Sequence, residues 1–426
     1  MSQQIIDDCF RPGQEQLTHD EAVALLKARV GPLVGSERVP LAAATGRILA
    51  EAAIARFPVP AHNNAAVDGY AFAIAGQQGG LAQPWPVVGR AAAGHPYKGR
   101  LAAGEAVRIF TGAVVPGKAD TVVMQEDTGP APNDPSAVVF QRGLKKGANV
   151  RRAGEDVKSG EILLAAGDVI RPQDLAALAS IGAGDVEVFA RLRVAIVSTG
   201  DEVVRPGSRG LEPGEVFDAN QAMLNALAIS AGAEVTDLGI WPDDAATVSK
   251  NLAEAALRYD LILTSGGASR GEEDHMAAAI GALGQRHFWQ ILVKPGRPMM
   301  LGQVERTAVV GLPGNPVAVF VCFLMYVWPM LRRMSGSPWP EPRRFPMPAA
   351  FAFPNRKVGR RELWRGRMTT GPAGWQVEKF DRDGSGLISS LRWADCLIDI
   401  PEGVTEVRPG DTVSVIPFSE YGILQR

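Results

Sequence analysis

The spacing of apolar residues changes along the chain, and each change predicts a different kind of structure. At 18–30, Ala22, Leu25 and Leu26 recur with Arg29 at helical spacing. Thr18, followed three residues later by Glu21, has the form of a capping box, so a helix is predicted to begin there. A second short helix is expected at about 41–52. From about 56 to 160 no helical period is sustained. Short apolar runs at 87–88, 107–110, 121–124 and 137–140 lie between Gly, Pro and Asp clusters, which is an all-β pattern. Helical spacing returns at 171–181, with Pro172 in the first turn and Gly182 as a C-cap. The β segment therefore reads as an insertion between helical pieces.

Beyond Arg193 the pattern alternates. Apolar strands are predicted at 194–198, 234–240, 261–264 and 308–311, with helices near 220–231, 245–258, 273–283 and 316–335. Strands alternating with crossover helices predict a doubly wound, mostly parallel α/β sheet. The Pro-rich stretch 337–348 reads as a linker. The remainder, to Arg426, has the short alternating runs and Gly/Asp turns of a small β domain. The expected fold is thus multidomain, α/β plus β: a doubly wound α/β domain, an inserted β domain and a C-terminal β-barrel-like domain.

Composition narrows the function classes. The 426 residues are 46% hydrophobic and 21% charged, an ordinary soluble composition. A formal net charge of -2 argues against a nucleic-acid binder that relies on a basic field. Cys9, Cys322 and Cys396 are far apart and form no CxxC, so a disulfide framework is not expected and a reducing compartment is natural. The first ten residues have neither the basic nor the apolar region of a signal peptide. The longest apolar run, 317–330, falls short of the roughly 20 residues of a membrane span and reads as a buried helix. A cytoplasmic protein without membrane or nucleic-acid partners is expected.

The candidate chemistry lies at the strand ends, where open parallel sheets bind ligands. The run 261–274 is a buried strand broken by Ser265, Gly266 and Gly267, with Glu272, Glu273 and Asp274 opening the next helix. Small residues let backbone N–H groups approach an anion, and a helix start favours negative charge. The other strand ends carry Glu202, then Asp243 and Asp244, then Lys294 to Pro298, then Pro313 to Pro316. Each has a plainer reading: Asp243 or Asp244 as a helix cap, Asn315 with Pro316 as a helix start, Glu202 as a solvated acid, Lys294 and Arg297 as surface charges. Convergence on one rim favours the functional reading. Glu202, Asp243 and Asp274 suit Mg²⁺, and the glycine turns with Lys294 and Arg297 suit a polyanion. No GxxxxGK[ST] is present, which disfavours a P-loop.

In order along the chain, residues 64–71 (NAAVDGYA), 108–113 (RIFTGA) with 123–126 (VMQE), 151–156 (RRAGED), 198–202, 265–274, 294–298 and 311–316 resemble the molybdopterin molybdenumtransferase family, which includes MoeA-like proteins and the E domain of gephyrin. The resemblance covers nearly the whole chain. It implies an elongated homodimer with four subdomains per chain: a small connecting subdomain (36–54 and 161–191), the inserted β subdomain (55–160), the α/β molybdopterin-binding domain (17–35 and 192–341) and the C-terminal β domain (342–426). It implies insertion of molybdate into adenylylated molybdopterin with release of AMP, with Mg²⁺ as the metal.

By position, the resemblance makes Asp243 and Asp274 acids of the metal and pterin-phosphate site and Glu202 a further site acid. Asp68 and Thr111 would complete the cleft from the other subunit. Ser265, Gly266 and Gly267 would face the pterin phosphate. Lys294, Arg297 and Pro298 would form the oxyanion corner, and Arg365 and Ser385 would hold molybdate. A guanidinium, an ammonium and a hydroxyl are a reasonable donor set for a compact dianion. The competing readings are a solvated arginine patch for Arg365 and an ordinary turn for Ser385.

The chain departs from the family pattern at Ala65, Val67, Arg270, Gln290 and Arg297. Alternative functions on the same fold are a non-catalytic scaffold or a pterin adenylyltransferase. Retention of the acid and base set argues against the first, and the C-terminal β domain against the second.

Overall fold

The computed structural model describes residues 16–77, 83–266, 275–372 and 374–424. Asp274, Gly267 and Arg270, all singled out above, lie outside the described residues.

A seven-stranded sheet forms the centre. Its order is Gln16–Leu17, Gln285–Ile291, Pro298–Val304, Thr307–Leu312, Leu261–Ser265, Arg193–Thr199, Glu234–Trp241. The last four are parallel, as the alternating pattern predicts. The three inner ones are largely apolar on both faces because helices cover both, whereas the edge strand Glu234–Trp241 carries exposed Glu234, Thr236 and Asp237. One layer buries Ile196, Leu224, Leu263 and Val310, and the other Val197, Val248, Ile262 and Ile280.

Three of its strands were not foreseen. Gln16–Leu17 pairs in parallel with the end of Gln285–Ile291. Gln285–Ile291 and Pro298–Val304 form an antiparallel pair, and the second pairs antiparallel with Thr307–Leu312. The sheet is therefore mixed. Gln285, Arg286, His287 and Gln290 put polar residues into the first of these strands, which hides it from an apolar-run search.

The helices match closely. His19–Arg29 starts at Thr18, whose side chain and that of Glu21 form the reciprocal capping box. Pro172–Ser180 has Pro at its first turn, and Gly182 follows at φ 81°. The expected helix at 41–52 is only a 3₁₀ turn, Leu41–Ala43. Beyond it the backbone pairs with distant chain instead: Leu49 N–H donates to Asp168 O, and Phe189 N–H donates to Ile48 O.

Residues Pro316–Met334 form one 19-residue helical run, with a π turn at Phe323–Val327. It matches the helix expected at 316–335. By length and composition it could cross a membrane, but 83% of that window is buried within the protein. Its apolar surface is already covered, as in a core helix.

The inserted region is all β. Six strands run in the order Thr121–Met124, Gly69–Phe72, Ala106–Ile109, Trp85–Ala91, Asp134–Phe140, Thr128–Ala131. Phe72, Trp85 and Phe140 stack at its centre, with centroids 4.6 to 5.0 Å apart. The C-terminal sheet runs Val293–Lys294, Arg361–Gly371, Cys396–Ile400, Thr412–Pro417, Phe345–Pro348, with Gly374–Lys379 also on Arg361–Gly371. An Ala349–Val377 bridge links the two outer strands. Two strands thus join across domains: Val293–Lys294, from the α/β chain segment, pairs with Arg361 and Glu362.

Candidate functional site

The carboxyl ends of the parallel strands open into a cavity of about 350 Å³, walled on its far side by the C-terminal sheet. Of the residues expected from sequence, Gly266, Lys294, Pro298, Arg365 and Ser385 all line it. Pro313, Gly314, Asn315, Trp364 and Asp383 complete the wall.

Each wall has a local cause. Gly266 has φ 90°, and a Cβ there would lie 2.8 Å from Thr199 Oγ1, so two strand ends meet only because this residue is glycine. Ser265 beside it is buried and faces inward: its hydroxyl accepts from Asn220 Nδ2 at 2.7 Å, and it does not line the cavity. Asn220 Nδ2 also donates to Gly314 O at 2.7 Å, which ties that turn to the next one. Pro313, Gly314, Asn315 and Ala318 bring the start of the long core helix to the cavity, and the Val317 N–H donates to Ser385 O at 3.1 Å, tying the helix to the loop that bears Ser385. Asn315 is the N-cap by position yet makes no side-chain cap bond.

Arg365 is 4% exposed. Nε donates to Ser390 Oγ at 3.1 Å, and an Nη2 N–H donates to Arg382 O at 3.1 Å. Among the described residues no carboxylate lies within ion-pair distance of it. Burial pulls its pKa below the usual guanidinium range, with the nearby Asp383 carboxylate acting the other way. Arg365 is therefore not one of a solvated patch; it is a desolvated cation whose bonds hold the loop bearing Ser385. Asp383, two residues before Ser385, is paired with Lys379 at 2.6 Å. Lys294 Nζ lies 3.4 Å from Glu362 Oε2. Of the charged side chains lining the cavity among the described residues, Lys294 and Arg365 are cations and Asp383, itself paired with Lys379, is an acid, so the lining is net positive. A net positive lining suits an anion.

Asp383, Trp364 and Asn315 were missed as site residues by sequence reasoning. The signal for Asp383 was its place in the same Gly-rich turn as Ser385. For Trp364 it was its adjacency to Arg365.

Other expected residues lie elsewhere. Arg297 does not line the cavity; an Nη2 N–H donates to Gln290 Oε1 at 3.0 Å. The two departures from the family pattern at 290 and 297 thus contact each other. Asp68 and Thr111 sit together on the inserted β domain, away from the cavity lining. Thr111 N–H and O–H both donate to Asp68 Oδ1, at 2.8 and 2.7 Å, and these bonds hold the Asp68 carboxyl below its ordinary pKa.

The acids occupy neighbouring strand-end loops. Asp244, not Asp243, caps the following helix by accepting from Thr247 N–H at 2.8 Å. Asp243 N–H donates to Asp201 Oδ1 at 3.3 Å, and its own carboxylate lies 3.7 Å from His275 Nε2. Glu202 is exposed on the adjoining loop. Among the described residues no group of three or more His, Cys, Asp or Glu is placed to hold a metal. The donors present are hard carboxylate oxygens released from capping. That fits Mg²⁺, which takes one or two protein carboxylates and fills its sphere with water and phosphate.

Family models match along the chain: "MoeA N-terminal region (domain I and II)" at residues 17–182, "Probable molybdopterin binding domain" at 195–333 and "MoeA C-terminal region (domain IV)" at 347–418. The chain is 36% identical over 407 residues to a molybdopterin molybdenumtransferase of Haemophilus influenzae, covering 95% of this chain and 99% of that one. It is 33% identical over 410 residues to molybdopterin molybdenumtransferase 2 of Mycobacterium tuberculosis, covering 93% and 98%. A molybdopterin biosynthesis MoeA protein from Pyrococcus horikoshii superposes with a TM-score of 0.81 at 28% identity, over 95% of this chain and 100% of that one. By sequence over its whole folded length and by architecture, the chain belongs to the MoeA family of molybdopterin molybdenumtransferases.

Proposed function

We propose that the protein inserts molybdate into adenylylated molybdopterin, with release of AMP, in molybdenum cofactor biosynthesis. The observation that carries this reading is the cavity in which Lys294, Arg365 and Ser385 converge from two domains in a net positive lining.

Molybdate is the oxyanion substrate. Lys294 and Arg365 neutralise it, and the Ser385 hydroxyl orients it. Arg365 is already fixed by Ser390 and by the 382 carbonyl, so little side-chain freedom remains to be lost on binding. The turn at Gly314 and Asn315, just before the core helix, offers backbone N–H groups to the phosphate of the pterin, while the Gly266 N–H is already donated to Leu312 O at 3.2 Å. Trp364 limits water on one wall, which strengthens every charge interaction inside. Among the described residues no cysteine is set up as a nucleophile: Cys322 and Cys396 are buried, and burial raises both thiols, that of Cys322 to about 12.

Mg²⁺ would be held by Glu202 and Asp243, with Asp274, outside the described residues, as the third acid. When bound, it would screen the phosphates and polarise the anhydride. Asp68 with Thr111 would complete the cleft from a second subunit of a homodimer. The separation of that pair from the cavity lining within one chain supports this arrangement.

AMP release from adenylylated molybdopterin, with molybdate and Mg²⁺ supplied, tests the reading directly. Turnover is expected to need both additions. If Asp274→Ala leaves turnover untouched, the metal assignment fails. If the unaltered protein releases no AMP, the reaction assignment fails.

A further inference from the structure

Glu362 is absent from the cavity lining, yet its carboxylate contacts three groups around it. Oε2 accepts from Trp364 Nε1 at 2.8 Å and lies 3.4 Å from Lys294 Nζ. Oε1 lies 3.4 Å from Arg356 Nε. The Glu362 side chain is 6% exposed, whereas that of Lys294 is 45% exposed. This asymmetry decides which partner is fixed. A buried carboxylate must remain paired and is locked by its neighbours. A half-exposed lysine on a four-carbon stem has many rotamers open to it. The ion pair therefore restricts Lys294, not Glu362.

The backbone enforces the same register. Val293–Lys294 pairs in parallel with Arg361 and Glu362, placing Lys294 opposite Glu362. Arg361 N–H donates to Leu292 O at 2.9 Å just before it. The contact thus forms only where the C-terminal sheet is seated on the α/β domain. Arg356, fully buried, gives Glu362 a second cation. Lys294 is then not the sole counter-ion of Glu362 and can share its charge with an incoming anion.

We propose that Glu362 is a positioning residue: it holds the Lys294 ammonium over the cavity, so that oxyanion affinity depends on a carboxylate the oxyanion does not touch. The proposal rests on the reading of this cavity as the molybdate site.

Two measurements on the full chain test it: equilibrium dialysis against molybdate, and AMP release with molybdate titrated. Glu362→Gln is expected to raise the KM for molybdate, and its dissociation constant, about tenfold, with kcat changed less than about twofold. Lys294→Gln should do the same. Because Glu362 acts through Lys294, the double variant should be no worse than Lys294→Gln alone. Glu362→Asp, which keeps the charge on a shorter stem, should fall in between and serves if the Gln variant does not fold. An unchanged KM in both Glu362 variants overturns the proposal, as do effects that multiply in the double variant. If the unaltered protein binds molybdate but releases no AMP, the reaction assignment fails while dialysis still decides the role of Glu362. If it binds no molybdate, both fail.

Discussion

His19 shows how one side chain ties stability to pH. It is 3% exposed, and its Nδ1 lies 3.0 Å from the buried Tyr326 hydroxyl. Burial, with the Arg361 cation nearby, lowers its pKa from 6.5 to about 4. A base whose folded pKa is depressed binds its proton more readily when unfolded. Its contribution is therefore complete above the unfolded value of 6.5 and is lost as pH falls toward 4. The full window corresponds to about 3 kcal/mol. Urea unfolding at about pH 7 and about pH 5 should show the loss, and His19→Asn should flatten that slope while lowering stability at neutral pH. Arg365 gives a second residue-scale expectation. Lys keeps the charge but cannot reach Ser390 Oγ and the Arg382 carbonyl together. Arg365→Lys should lower kcat/KM for molybdate at least about tenfold. Sequence alone located Arg365 but not its surroundings, and it did not single out His19. That Arg365 is desolvated depends on Ser390 and on the 382–384 turn, and neither spacing nor composition specifies those contacts. The pairing of Gln290 with Arg297 was equally hidden. Two positions that stand in the sequence as separate departures from the family pattern are joined by one hydrogen bond between the ends of adjacent strands.

At the scale of elements, legibility followed whether local chemistry agreed with tertiary demand. The capping box at Thr18 and Pro172 with Gly182 marked their helices because each satisfies backbone groups locally. The three inner parallel strands were visible as apolar runs because helices cover both faces. The 41–52 segment failed for the opposite reason: its apolar residues fill a core shared with Ile170, Val186 and Val188 from extended chain and Leu178 from the helix Pro172–Ser180, so a helix-like spacing carries no helix. The polar strand Gln285–Ile291 failed because its first half is exposed and tolerates polar side chains such as Gln285 and Arg286, only its end being covered by the short edge strand Gln16–Leu17. One turn joins element packing to the site. Gly296 has φ 107°, and a Cβ on it would lie 2.4 Å from Cys322 Sγ in the core helix. Gly296→Ala would both strain the backbone and press on buried sulfur, so it should cost roughly 2–4 kcal/mol. The same substitution displaces the Lys294 to Pro298 turn. Molybdate affinity should fall along with the thermal midpoint, and an unaltered midpoint would show that the turn can relax.

For the whole molecule, the question is how two separate sets of groups make one site. The cavity joins the α/β domain to the C-terminal sheet, and a buried ionic cluster holds that junction. Asp399 is 1% exposed and accepts from Arg344 Nε at 2.8 Å and Arg361 Nε at 2.6 Å. Arg361 reaches on to Asp20 at 3.1 Å, beside the first helix. Asp68 and Thr111 stand apart on the inserted β domain, already bonded to each other and with no cavity residue as partner. If a second subunit supplies that pair, as proposed, two inactive variants should rescue each other. Asp68→Asn spoils the pair, and Arg365→Ala spoils the cavity. Each variant alone should be nearly inactive in AMP release. In a mixed dimer one cleft receives both defects, while the other receives an intact cavity from one chain and an intact Asp68 from its partner. Random pairing makes about half the dimers mixed, so co-expressed variants should recover about a quarter of the unaltered activity. Were the two sets to act within one chain, every cleft would carry a defect and mixing would recover nothing. Light scattering on the same samples would separate failure of complementation from failure to dimerise.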